Sequence, residues 1–138
     1  MNKVGDAFDR TVTLREADIA AFAASCGDGN PLHHDAGHAE RSRFGGIIAS
    51  GPHYMSLFMG LAATHFSQCG GALGLEFRFE FRRAVRAGET LTMRWEITRL
   101  ERKDSLAGDL AELAGTIVNQ DGITVLTGQG KMLVHAEI

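Results

Sequence analysis

The stretch from Ser50 to Phe66 carries no Asp, Glu, Lys or Arg, and directly after it the hydrophobic period changes from helical to alternating. Tyr54, Met55, Leu57, Phe58, Met59, Leu61, Ala62, Ala63 and Phe66 are apolar nearly all round a helical wheel, which marks a helix buried on most sides rather than one lying on a surface. Ser50, Gly51 and Pro52 give it a start, because Ser caps well and Pro is tolerated in the first turn, where its missing N–H is not needed. From Leu75 the period is two: Leu75, Phe77, Phe79 and Phe81 alternate with Glu76, Arg78, Glu80 and Arg82, as in a strand with one dry and one wet face. A helix with so much apolar surface needs a large cover, and dry strand faces supply it.

More strands follow. Leu91, Met93, Trp95 and Ile97 alternate with Thr92, Arg94, Glu96 and Thr98. Segments 110–119 and 123–135 flank Asp121-Gly122, a pair suited to a tight hairpin in which both central residues take positive φ. Phe8, Val12 and Leu14 add a strand near the N-terminus. The expectation is an α+β fold, an antiparallel sheet of about five strands wrapped around one long central helix, which is the hot-dog architecture. A single domain over residues 4–136 suits the 138-residue length.

The first third reads as helices and loops. Thr13-Leu14-Arg15-Glu16 has the form of a capping box, and Ile19, Phe22 and Ala23 repeat at helical spacing before Gly27. Gly27 to His34 is a loop by its turn formers. Asp35 caps a short helix through Arg43. The chain has 17 glycines and two prolines. Six of the glycines fall between Gly27 and Gly51, and the others are expected mostly at strand ends, turns and bends.

Composition sets the class. A net charge of −3 argues against a protein built to neutralise nucleic-acid phosphates. Locally, however, residues 78–103 hold eight basic side chains against four acidic ones, which suits a small phosphorylated ligand. Cys26 and Cys69 lie far apart in sequence and give neither a disulfide framework nor a cysteine zinc site. The N-terminus has no apolar signal core, and the longest apolar stretch is too short to span a bilayer. A cytoplasmic protein bound to neither membrane nor nucleic acid is expected.

The chemistry-bearing cluster is Asp28-Gly-Asn-Pro-Leu-His-His-Asp35. It places Asp28 and His33 in a loop pinned by Gly and Pro, with Asn30 between them able to hold the carboxyl. A carboxyl and an imidazole that share a water can act as an acid/base pair near neutral pH. On local chemistry alone, the plainer reading is a turn in which Asp28 and Asn30 satisfy backbone groups and both histidines are exposed. His33, His34, His38 and Asp35 make a poor metal site, because adjacent histidines rarely both point inward. Cys26 lacks an orienting partner for a nucleophile and reads as a small core residue. Arg82, Arg83 and Arg86 suit the phosphates of a nucleotide-bearing ligand, or else a solvated sheet face. Tyr54, Met55 and Phe58 are either core or the lining of an apolar tunnel.

The string from Cys26 to Asp35, followed by Ala39 and by Phe44-Gly-Gly-Ile-Ile-Ala-Ser-Gly51, resembles the signature of the MaoC-like dehydratases, the (R)-specific enoyl-CoA hydratase family. Phe-Arg-Phe, Val85 and Gly88-Glu89 before a strand are similar to that family's sheet. The resemblance covers roughly residues 6–135. It implies a hot-dog homodimer or higher homo-oligomer that hydrates trans-2-enoyl thioesters reversibly, on coenzyme A or an acyl carrier, with no cofactor or metal of its own. It implies further that Asp28 and His33 are the catalytic pair and bind one water between them. His33 would deprotonate the water and Asp28 would protonate C2. Asn30 would support them, with the Gly51 N–H on the thioester oxygen and Ser50, Tyr54, Arg82, Arg83 and Arg86 contacting substrate. Ser50 stands where many members have His, and Ala84 where many have Pro; Ser50 could cap the helix or bond Asp28. Two alternatives stay open, a hot-dog acyl-CoA thioesterase and a non-catalytic acyl-CoA-binding module. The first usually needs a carboxylate on the central helix, and none is present.

Overall fold

The structure is a computed structural model describing residues 2–68 and 70–135. Five strands, β1 (Ala7–Thr13), β2 (Gly71–Phe81), β3 (Thr90–Lys103), β4 (Gly108–Val118) and β5 (Thr124–His135), form one antiparallel sheet in the order β1-β3-β4-β5-β2. Three α-helices, α1 (Glu16–Ser25), α2 (Ala36–Glu40) and α3 (Gly51–Ser67), lie between β1 and β2 in the chain. The fold is the expected hot-dog arrangement, with the sheet against the long α3.

The core sits between α3 and the dry face of the sheet. Leu91, Met93, Trp95 and Ile97 of β3 are fully buried, as their alternation requires, together with Phe58 and Phe66 of α3. The Phe58 ring stacks on the Trp95 indole at 3.8 Å, and the indole N–H donates to the Phe58 carbonyl at 2.8 Å. One side chain thus packs against the helix and satisfies its own polar atom there. Truncating such a residue costs about 3–5 kcal/mol.

Three glycines admit these rings. A Cβ at Gly115 would meet Trp95 at 2.6 Å and Phe58 at 2.7 Å; at Gly128 it would meet Phe79 at 2.9 Å; at Gly130 it would strike the ring of Phe77. These three lie inside β4 and β5 and serve close packing, while most glycines outside the 27–51 cluster sit at strand ends, turns and bends as expected, among them Gly5, Gly71, Gly88, Gly108 and Gly122.

Several local expectations are corrected. Thr13 does not cap α1: the N-cap is Arg15, with no side-chain bond, and the Thr13 hydroxyl pairs with that of Thr90 at 2.8 Å. Being the last residue of β1, Thr13 has its side chain committed across the sheet. The helix capped by Asp35 ends at Glu40 rather than Arg43. α3 keeps the mostly buried character expected of it, with His53, Tyr54, Phe58, Leu61, Ala62 and Phe66 facing the core and Gly60 and Ala63 exposed. Strand β2 begins at Gly71, not Leu75, and its dry face is incomplete. Leu75 falls at a register shift between Gly74 and Glu76, and Leu75 and Phe81 are 52% and 50% exposed, because β2 is an edge strand. At the β4–β5 turn only Gly122 takes positive φ; Asn119 accepts from the N–H groups of Asp121 and Ile123 and closes a longer loop than the two-residue turn expected. Cys26 is exposed rather than core, and Cys69 lies outside the described residues.

Candidate active site

The loop after α1 brings the predicted pair together. Asn30 caps a 3-10 turn (Pro31–His33) by accepting from the Leu32 N–H at 3.1 Å. That turn carries the His33 ring inward, where the residue is 5% exposed. His33 Nδ1 lies 2.7 Å from the Ile48 carbonyl and Nε2 lies 3.2 Å from Asp28 Oδ2. A carbonyl only accepts, so Nδ1 carries a proton, and Nε2 is left to exchange one proton with the carboxyl. Asp28 Oδ1 accepts from the Asn30 N–H at 3.0 Å. Asn30 thus bonds Asp28 through its main-chain N–H, while its side-chain oxygen caps the turn.

Asp28 and His33 touch directly instead of standing a water apart. The Asp28 side chain is 30% exposed, so one side of the contact faces solvent.

The His33–Ile48 bond also fixes the pair relative to α3. Ile48 donates its N–H to the Leu32 carbonyl at 3.2 Å, and Ala49 donates to Val85 at 2.8 Å. The chain then enters α3 at Gly51. Of the first-turn amides, Pro52 has none and the His53 N–H goes to the Ser50 carbonyl at 3.0 Å. The Gly51 N–H has no partner among the described residues and stands at the positive end of the helix dipole. Ser50 is the N-cap residue but makes no side-chain cap; its hydroxyl is 2% exposed as a residue and has no partner among the described residues, so it does not bond Asp28.

The remaining predicted residues divide. Tyr54 is buried with its ring edge-on to Phe81 at 5.9 Å, and Phe58 is core. Met55 is half-buried against that core. Arg83 and Arg86 are exposed, and Arg86 bridges by its backbone to Ile48 beside the pair. Arg82 turns elsewhere: it binds Glu80 at 2.8 Å and lines a groove of about 530 Å³ on the wet face of the sheet, with Arg78, Arg94 and Glu96. No local pattern singled out His53, whose ring stacks on Phe22 of α1 at 4.5 Å and whose Nδ1 is buried without a partner among the described residues. Burial holds its pKa below the usual imidazole range. Nothing in the local sequence marks that pairing. Among the described residues no three His, Cys, Asp or Glu side chains converge as metal ligands, and no helix is long and apolar enough to cross a membrane.

Residues 2–116 match the profile of the MaoC like domain family. An (R)-specific enoyl-CoA hydratase of Aeromonas caviae is 34% identical over 113 residues, covering 82% of this chain and 81% of the relative. The solved (R)-hydratase from A. caviae involved in PHA biosynthesis superposes with a TM-score of 0.86 at 29% identity, covering 96% of this chain and 97% of that one. A MaoC-like dehydratase from Rhodospirillum rubrum gives 0.82 at 28% identity, covering 97% and 93%.

Proposed function

Because the chain belongs to the MaoC-like dehydratase family, we propose that it is a hydro-lyase that adds water reversibly to trans-2-enoyl thioesters, giving (R)-3-hydroxyacyl thioesters. The observation that carries this reading is the 3.2 Å contact between Asp28 Oδ2 and His33 Nε2, tied through Ile48 to the start of α3.

The reacting form has a neutral His33 and a protonated Asp28. Water oxygen bonds to C3 as its proton passes to His33 Nε2. The C2–C3 π pair moves toward the carbonyl, and the charge on the thioester oxygen falls on the Gly51 N–H, with the Ser50 hydroxyl, which has no partner among the described residues, donating alongside it. The enolate then takes the Asp28 proton at C2. Transfer of the remaining proton from His33 to Asp28 across their contact restores the starting state, so every proton is accounted for.

Arg83 and Arg86 meet the phosphates of the thioester carrier, Tyr54 lines the acyl side, and Arg82 is left to Glu80. The chain pairs with a second copy along the open edge of β2, where Leu73, Leu75 and Phe81 are all at least half exposed.

Purified protein mixed with a short trans-2-enoyl-CoA tests the reading, by following loss of the conjugated-thioester absorbance together with free thiol. Absorbance loss without thiol supports hydration. Thiol release would instead make the protein a thioesterase, and tight binding with neither change would make it an acyl-CoA-binding module.

A further inference from the structure

Asp28 stands between Gly27, at φ +78°, and Gly29. Glycines on both sides leave the widest choice of backbone conformers to the chain that must aim this carboxyl. Order there has to come from bonds. The Asp28 N–H donates to the Ala23 carbonyl at the end of α1, at 2.8 Å, and Oδ1 and Oδ2 are held by Asn30 and His33. The Asp28 carbonyl has no main-chain partner among the described residues. Its contact is the ring of His34, with Nε2 at 2.7 Å.

We infer that His34 is a positioning residue for the Asp28–His33 pair, its Nε2–H fixing the 28–29 peptide so that the carboxyl stays against His33. Because the carbonyl is acceptor-only, Nε2 of His34 is the protonated nitrogen, the opposite choice from His33, which must carry its proton on Nδ1. The rings are 6.5 Å apart and inclined by 71°, His33 closing the 3-10 turn and His34 standing just past it as its C-cap. One imidazole therefore meets the carboxyl of Asp28 while its neighbour holds the backbone of the same residue. His34 is exposed, and the core does not need it, so its bond within the loop serves the aim of Asp28 rather than the fold. The catalytic half of this inference rests on the hydratase reading above.

The test compares the full-length protein with His34→Leu, which keeps bulk without a donor, His34→Asn, whose amide falls short, and His34→Gln, whose amide nitrogen reaches about as far as Nε2. On enoyl-CoA, His34→Leu and His34→Asn are expected to lose roughly 10- to 100-fold in kcat with KM little changed, the scale of a misplaced catalytic group, and His34→Gln to recover most of it. In parallel, the His33 ring is titrated by NMR in each variant and in Asp28→Asn. His34→Leu is expected to move the His33 titration toward that of Asp28→Asn, and His34→Gln to leave it at the wild-type position. Thermal unfolding is expected to be the same in all three His34 variants. An unchanged kcat in His34→Leu, an equal loss in His34→Gln, or an unmoved His33 titration would overturn the inference. A wild-type protein inert toward enoyl-CoA would overturn the hydratase reading instead, and the titration would still decide the role of His34.

Discussion

The ring of Phe81 fills the space where a Cβ on Gly51 would lie, with Phe81 Cε1 2.8 Å from that position. The last residue of β2 thus covers the start of α3, beside the Gly51 N–H, which has no partner among the described residues. Phe81 is 50% exposed, so its ring can swing aside. Gly51→Ala is expected to cost about 1 kcal/mol, the low end of overpacking. In a Phe81→Ala background the same change is expected to cost almost nothing. Urea unfolding of the four proteins of this double-mutant cycle measures the coupling; an equal cost in both backgrounds would mean that the two residues do not press on each other.

Gly115 and Gly60 are expected to respond to alanine with opposite signs. At Gly115 a Cβ would press on the Arg94 backbone carbonyl and on the buried rings of Trp95 and Phe58, none of which can move freely. Gly115→Ala should destabilise by about 2–3 kcal/mol. Gly60 lies exposed in α3, and a Cβ added there would meet nothing within 4 Å, so Gly60→Ala should stabilise by about 0.5–1 kcal/mol through helix propensity. Denaturant midpoints at constant slope give both values.

How much of this was legible in the residues depended on the range of the forces involved. Strand β3 could be read directly, because Leu91, Met93, Trp95 and Ile97 are buried on one face and alternation records that. β2 misled, because its pattern says which residues are apolar but not that the strand lies at the sheet edge, where Leu75 and Phe81 stay half exposed. Thr13 carried a helix-cap pattern, yet a partner 77 positions away in sequence took its hydroxyl. The Asp28–His33 pair was legible only through the resemblance of the longer string to the hydratase signature, since the local chemistry alone reads as a turn with both histidines exposed, whereas the loop carries His33 inward to 5% exposure. The His33–Ile48 bond, the His53–Phe22 stack and the ring-admitting glycines join distant segments, and no local pattern encodes them.

Two histidines predict how stability depends on pH. His53 stacks on Phe22, and His65 stacks on Phe8 at 3.8 Å; each has a buried ring nitrogen without a partner among the described residues. Burial lowers both pKa values, against smaller opposing effects of Asp18 and Asp6. The unfolded chain therefore binds protons more readily than the folded one. The stabilisation is present above the unfolded value of about 6.5 and is lost as pH falls below it. Urea midpoints should drop between pH 7.5 and 5.5, and His53→Phe with His65→Phe should flatten that slope. A slope unchanged in the double variant would remove these histidines as its cause.

The open edge of β2 predicts assembly. An 11-residue edge strand with Leu73 at 57% and Leu75 at 52% exposure is an aggregation hazard unless it is paired. Light scattering at micromolar concentration is expected to give twice the chain mass. Leu75→Lys should shift the protein toward the single-chain mass. A monomeric wild type would contradict the pairing.

Asp28→Asn and His33→Ala should separate chemistry from folding. Asn at position 28 can still accept from the Asn30 N–H through its oxygen and donate to His33 Nε2 through its amide, so the loop keeps its bonds. It cannot deliver a proton to C2 or take one back from His33 to reset the pair. Asp28→Asn is therefore expected to fold with near wild-type stability while losing roughly 10²- to 10⁴-fold in kcat. His33→Ala loses the same chemistry and also strips the Ile48 carbonyl of its 2.7 Å partner at a site only 5% exposed, adding about 1–3 kcal/mol of destabilisation. Steady-state rates beside urea unfolding of both variants check this. Activity surviving in either would reject the assigned pair, and equal stability of the two would mean that the His33–Ile48 bond does not hold the loop to the start of α3.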